Sequence, residues 1–228
     1  MYAPAASVED RIPVLRAAMA DIMFAALVTQ ADDGPVVTHV PMLLTGPDDA
    51  LVLETHVARG NPHWRTPGPS VAIFQGPQAY VSPSFYPAKA LTGKVVPTWT
   101  YIAVHAHGGL ETVDDPAWLH AHVSRITDTM EAARPALWAV GDAPPDYIAA
   151  LQRGIVGLRL PVIRLHGAWK VNQHKSDADR AGTAAGLTAG GVQGQALAEV
   201  LRAGDQRPVR PSVAGSGTGC VTLPLRFS

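Results

Sequence analysis

The chain has 228 residues, 47% apolar and 16% charged, with a formal net charge of −1. That length suits one domain of ordinary size with a tail, and the apolar fraction supplies a core without staples. A near-neutral chain with no basic stripe gives no electrostatic footing for autonomous nucleic-acid binding, and a lone cysteine, Cys220, excludes a disulfide framework and a thiolate metal site. Met1 to Ser7 has no basic region ahead of an apolar run, so no leader or membrane partner is expected and the location expected is cytoplasmic. Ser7 to Asp21 reads as a helix, with Ser7 and Asp10 at capping-box spacing and Ile12, Leu15, Ala18, Met19 and Ile22 on one stripe. Phe24 to Thr29, Val36 to Leu44 and Leu51 to Val57 read as an antiparallel meander, turned at Asp33-Gly34 and at Gly46 to Asp49.

Asn61-Pro62-His63-Trp64 reads as a helical start, because Pro fits the first helical position. Ser70 to Gln75 and Ala79 to Ser82 read as two strands split by Gly76-Pro77, and Tyr86 to Pro97 as a loop. Trp99 to Leu110 and Gly154 to His166 read as long strands of the kind that bend and serve two sheets. Asp115 caps a helix from Pro116 to about Ala133, and Tyr147 to Gln152 forms a shorter one. Asp177 to Ala189 is a further helix. The expected division is a domain over 1–191 and a partly flexible arm over 192–228, with a short helix at Gln195 to Arg202. Many short strands with a few helices indicate a mainly β, α+β barrel with peripheral helices.

Histidines carry the candidate chemistry, and most have an ordinary alternative. His105 and His107 share one face of a strand, but no carboxylate or cysteine lies close enough in sequence to complete a metal site. His120 and His122 are two apart on a helix, so they point to different faces and are expected in solvent. His39 and His56 have an ordinary reading as core positions tied by hydrogen bonds. Trp64, Trp99 and Trp169 suit stacking on a planar group, or simply packing. Lys170 and Lys175 suit an anionic group, or a solvated surface.

Several segments together resemble the PaiB family, described as FMN-binding negative transcriptional regulators. They are Thr38-His39-Val40-Pro41, His56 to Trp64, Phe74-Gln75-Gly76-Pro77, Tyr80 to Tyr86, Val96 to Tyr101, Val104-His105, Ile155-Val156-Gly157, Trp169 to Lys175 and Asp179-Arg180. The match runs in consistent order from Met1 to about Gly191. The resemblance implies a homodimeric split β-barrel with cofactor clefts at the subunit interface. It places Thr38, His39, Val40 and Pro41 along an FMN ring, and Thr55, His56 and Arg59 near the phosphate, where an arginine fork suits phosphate oxygens. Asn61, Trp64, Trp99, Lys170 and Lys175 complete the implied cofactor contacts.

The chain departs from the family pattern at four places. The family usually has Gln at His63, a Ser-Gln-Asn run at Asn172-Gln173-His174, Asn at Thr100 and an aromatic near His107. Two departures install imidazoles, at His63 and His174, and imidazole is an axial ligand of haem iron. One branch of the family, the piperazate synthases, uses haem b to close an N–N bond in N5-hydroxyornithine. The resemblance to that branch implies His63 as the metal ligand, His39 as proton acceptor, Thr98 and Thr100 as polar contacts in catalysis, and a small amino-acid-derived substrate. The other expectation is an FMN-binding protein of the PaiB type, a regulator or a flavin oxidoreductase.

Overall fold

The computed structural model describes residues 1–203 and 221–222. In chain order the elements are β1 (Val8–Glu9), α1 (Ile12–Ile22), β2 (Phe24–Ala31), β3 (Gly34–Pro41), β4 (Leu43–Thr45), β5 (Val52–Ala58), β6 (Gly68–Val81), α2 (Ala88–Thr92), β7 (Thr98–Val113), α3 (Pro116–Glu131), α4 (Pro145–Gln152), β8 (Ile155–Lys170), α5 (Asp177–Thr188), α6 (Gly191–Ala203) and β9 (Val221–Thr222). Hydrogen-bonded neighbours follow the order β3-β2-β6-β7-β8-β5-β4, with β1 and β9 also on β8. The mainly β composition with peripheral helices agrees with the sequence pattern.

Two compact units divide the chain. One comprises Met1–Ile22, Ile73–Ala106 and Arg164–Thr222; the other includes Met23–Ala72 and His107–Ile163. β6, β7 and β8 each pass from one unit to the other. The first unit buries Leu15, Met19, Phe74, Ile102, Leu165 and Leu197, and the second Leu27, Leu51, Leu53, Leu158 and Leu160. No helix among the described residues is long and apolar enough to cross a membrane.

Several boundaries differ from the sequence pattern for identifiable reasons. The first helix starts at Ile12, not Ser7. Val8 and Glu9 instead pair with Ala168 and Gly167, and the Glu9 carboxylate takes the Arg11 backbone N–H at 3.0 Å. Pro13 then falls in the first turn, where its missing N–H costs nothing. Val36 to Leu44 is not one strand. It breaks at Met42, whose N–H donates to the Met23 carbonyl at 2.9 Å. Gly76-Pro77 does not split β6: both residues are buried in succession, so the alternation slips by one, as in a bulge. The long strands are longer than expected, 16 residues each in β7 and β8. Asp115 caps α3 through both carboxylate oxygens, which accept from Ala117 and Trp118 N–H groups. The arm expected from residue 192 opens inside α6, which buries Leu197, Ala198, Val200 and Leu201. Apart from 221–222, residues beyond 203, Cys220 among them, lie outside the described residues.

Candidate functional site

His63 sits in a short 3-10 turn, Pro62–Arg65, and is fully buried. Asn61 caps that turn, its side-chain oxygen accepting the His63 backbone N–H at 2.9 Å. Nε2 of His63 lies 2.8 Å from Thr29 Oγ1, and Nδ1 lies 2.8 Å from Thr38 Oγ1. The neighbours fix the protons. Ser70 donates its one hydroxyl proton to the Gly68 carbonyl at 3.0 Å, so Thr29 donates to Ser70 across 2.6 Å. The Thr29 oxygen therefore accepts from His63 Nε2–H. Nδ1 is then a bare acceptor and takes the Thr38 hydroxyl proton, while Thr38 Oγ1 also accepts from Asn61 Nδ2 at 3.2 Å. Burial lowers the His63 pKa and favours this neutral ring. In this arrangement the one lone pair on the imidazole, at Nδ1, accepts from the Thr38 hydroxyl.

A second imidazole group lies on β5 and α3. Glu54 and His56 share the face of β5 that α3 covers. Trp118 and His122 are four apart and Arg125 three further on, which puts all three on one stripe of the helix. Arg125 reaches the buried Glu54 carboxylate at 2.7 Å. His122 Nε2 lies 3.1 Å from His56 Nδ1. The His122 ring lies flat on Trp118, with centroids 5.0 Å apart and planes 4° from parallel. Trp118 in turn lies on Gly157, where a Cβ would come 2.2 Å from its ring. His122 is fully buried, not solvated as its spacing from His120 suggests, because only the Trp118–His122 side of the helix faces the sheet. Burial, then the neighbouring His56 and Arg125, lower its pKa to about 4. Burial also lowers that of His56.

The residues expected near a phosphate are partly committed elsewhere. Arg59 donates to both Asp114 carboxylate oxygens, at 2.6 and 3.0 Å, and to the Arg153 and Ile155 carbonyls at 3.0 and 3.1 Å. Four of its five N–H groups are thus used. The pair raises the Arg59 pKa and lowers that of Asp114, chiefly through the hydrogen bonds between them. Trp64 donates its indole N–H to the Arg59 carbonyl at 3.0 Å, with the Arg65 guanidinium 4.4 Å from its ring centroid. Thr55 is fully buried and donates to the Pro41 carbonyl at 2.7 Å, so it shapes the β3–β4 break. A cavity of about 560 Å³ is lined by Arg59, Asp114, Pro116, Leu119, Gln152 and Arg153, among others.

Strand alternation divides the ring-lining residues. Thr38 and Val40 face inward, whereas His39 and Pro41 face the other way, so the four do not line one surface. His39 is exposed and stacks on Phe24 at 6.2 Å. Its neighbours on that face include Val37 and Phe24, 51% and 58% exposed, which makes an uncovered apolar surface on the β2–β3 hairpin.

Trp99, Thr98, Thr100, Lys170 and Lys175 belong to the other unit. Trp99 is 49% exposed and its indole N–H is held by Gln78 Oε1 at 2.7 Å. With Tyr101 and His105 it lines a shallow cavity of about 370 Å³. Thr98 is half-buried. Thr100 is fully buried and donates to the Ala79 carbonyl at 3.2 Å, a structural use of its hydroxyl. Lys170 Nζ lies 5.9 Å from the Tyr101 ring centroid and Lys175 Nζ 4.9 Å from that of Tyr86. Neither forms an ion pair with a described carboxylate. His174 is exposed. Asn172 takes a left-handed φ of 61° and donates to the Tyr86 hydroxyl at 3.2 Å.

Sequence reasoning missed Thr29, Ser70, Asp114, Trp118 and the burial of His122. The Trp118-to-His122 spacing was the one available signal. Thr29 and Ser70 carry none, because a strand threonine or serine is ordinarily unremarkable. Among the described residues no three His, Cys, Asp or Glu side chains gather to hold a metal ion.

Comparison with known proteins follows the same lines. Residues 1–164 match the model of a family described as "Putative FMN-binding domain". A protein of Aspergillus fumigatus is 30% identical, over 89% of this chain and 97% of its own. The protease synthase and sporulation protein PAI 2 of Bacillus subtilis is 32% identical, over 68% of this chain and 74% of its own. Among solved structures, an FAD- and haem-binding protein from Mycobacterium smegmatis matches with a TM-score of 0.53 at 16% identity, over 72% of this chain and 73% of that one. The flavocytochrome Anf3 from Azotobacter vinelandii matches at 0.52 and 11% identity, over 71% and 68%. At these identities the structures speak for the fold alone, a mainly antiparallel split barrel with helices.

Proposed function

The chain belongs to the PaiB-type FMN-binding family, and from that premise we propose that it is a flavin-binding protein that holds FMN. The observation that carries this choice over haem is the His63 network. Both ring nitrogens are engaged by Thr29 and Thr38, and the ring is fully buried. Ligation of iron would displace the Thr38 hydroxyl from Nδ1 or break the Nε2–H bond to Thr29, leaving one of those hydroxyls without its partner. The haem-dependent N–N bond-forming activity on N5-hydroxyornithine rests on His63 as ligand, and this geometry does not favour it.

The residues present suit a flavin better. Lys170 and Lys175 are held over tyrosine rings with no described carboxylate to neutralise them, and would attract a phosphate. Trp99 presents a half-exposed indole held in place by Gln78, a surface for a planar ring. Bound FMN supplies one- and two-electron transfer; the protein's part is to hold it, orient it and limit water. The uncovered apolar face of β2 and β3 supports the further reading that the working form is a homodimer with its cofactor clefts at the subunit interface.

The test is the absorption spectrum of protein produced with both riboflavin and a haem precursor. The expected outcome is the two broad flavin bands, with FMN released on denaturation, and flavin retained in His63→Ala. A Soret band that disappears in His63→Ala overturns the flavin reading, and N5-hydroxyornithine turnover then becomes the assay.

A further inference from the structure

The contact between His122 and His56 fixes where the proton sits on each ring. Apart from Nε2, which meets His56 Nδ1 at 3.1 Å, His122 has one polar ring atom, Nδ1. That atom is buried and has no hydrogen-bond partner. If Nδ1 carried the proton, a buried N–H donor would be left unpaired. Underused acceptors are tolerated more readily than orphaned donors. The proton therefore sits on Nε2 of His122 and is donated to Nδ1 of His56. Turning the ring over in its own plane would put Cε1 where Nε2 meets His56 and lose that contact, and tilting it is opposed by Trp118, itself pressed on Gly157.

His56 Nδ1 is then an acceptor, so the His56 proton sits on Nε2. His56 is half-buried, and no described residue accepts from that Nε2–H. We infer that His122 is a positioning residue that holds His56 as a neutral Nε2–H donor, left without a partner among the described residues and so available to an oxyanion of a bound ligand. His56 then acts neither as a base nor as a metal ligand through Nε2, because its proton occupies that atom and its lone pair faces His122. For the identity of the oxyanion, the FMN phosphate, this inference rests on the flavin reading above; the proton positions do not.

The test is nitrogen NMR of the ligand-free protein labelled with ¹⁵N-histidine, at neutral pH. The expected spectrum shows His56 and His122 each with a protonated Nε2 and an unprotonated Nδ1. In His122→Gln, whose side-chain amide can replace the Nε2–H donor, His56 keeps that form. In His122→Phe it becomes a mixture of tautomers. Affinities for FMN and for riboflavin supply the second readout. The preference for FMN should fall about tenfold in His122→Phe and recover in His122→Gln. A wild-type His56 protonated on Nδ1, or an FMN preference unchanged in His122→Phe, overturns the inference. Failure of both flavins to bind the wild type instead sinks the flavin reading, and the NMR result then decides the proton positions by itself.

Discussion

Two buried imidazole groups lie in the same unit, and their hydrogen-bond chains end differently. The chain through His63 is closed: Asn61, Thr38, Thr29 and Ser70 supply hydroxyls and an amide, and it terminates on the Gly68 carbonyl. The chain through His122 is open: it passes to His56 and stops at a half-buried N–H. A hydroxyl both donates and accepts, so it can seal either end of an imidazole. Another neutral imidazole passes one proton along and leaves its far nitrogen to find a partner. A histidine's partners, more than its burial, decide whether it is left to act on a ligand.

The contrast is broken most severely at Gly157. An alanine there would place its Cβ 2.2 Å from the Trp118 ring and displace the surface that clamps His122. Overpacking of this kind costs about 3 kcal/mol or more, and denaturant titration should show it. If Gly157→Ala is as stable as wild type, the Trp118 clamp is not what holds the open chain.

Acid should act nearly as strongly on both chains. The folded-state pKa of His122, about 4, lies below the unfolded value of about 6.5. Between those values the unfolded chain binds a proton that the folded chain does not. Stability is therefore full above the unfolded pKa, falls as pH drops toward the folded one, and levels off below it. His122 alone contributes about 3 kcal/mol to that loss, and His56 and His63, also lowered by burial, add to it. Denaturation midpoints measured at pH 7.5 and pH 4.5 should differ accordingly, by less in His122→Gln. Equal midpoints in wild type would mean that the buried rings carry their protons already.

The two ends of the closed chain sharpen the comparison at smaller cost. Thr38→Val removes the donor to His63 Nδ1 and the acceptor of Asn61, for about 1–3 kcal/mol, and frees the Nδ1 lone pair. A gain of haem or imidazole-seeking metal by that variant alone would confirm that the hydroxyl is what seals the ring. Asp114→Asn should have the smallest effect, since Arg59 and Asp114 meet at the surface and Arg59 keeps its two carbonyl acceptors. A large loss of stability in Asp114→Asn would show that the pair does more than tether the Arg59 fork.

Much of the scaffold could be read from the sequence, because alternation and caps are local. The Asp115 cap, the long β7 and β8 and the β2–β3 hairpin all follow from patterns a few residues long. Strand pairings across long separations were not legible, and they moved the first helix: Glu9 pairs with a glycine far down the chain. The site shows the same limit. His63 stands out as an unusual residue beside a family motif, but its condition is set by Thr29 and Ser70, which carry no signal of their own. His122 was misassigned because its spacing from His120 separates two faces of a helix without saying which face is covered.

Both units are assembled from separated stretches of chain, and that governs the order in which a ribosome can complete them. Residues 23–72 wait for residues 107–163 to emerge, and the opening 22 residues wait longer, since the strand that receives Val8 and Glu9 ends at Lys170. Neither unit can therefore close on a nascent chain that stops in α3. Such a chain holds edge strands with exposed backbone groups, the state in which aggregation competes with folding. Chaperone demand during synthesis should thus be concentrated before β8 is released, and a stalled or truncated message would yield a product with no half worth keeping.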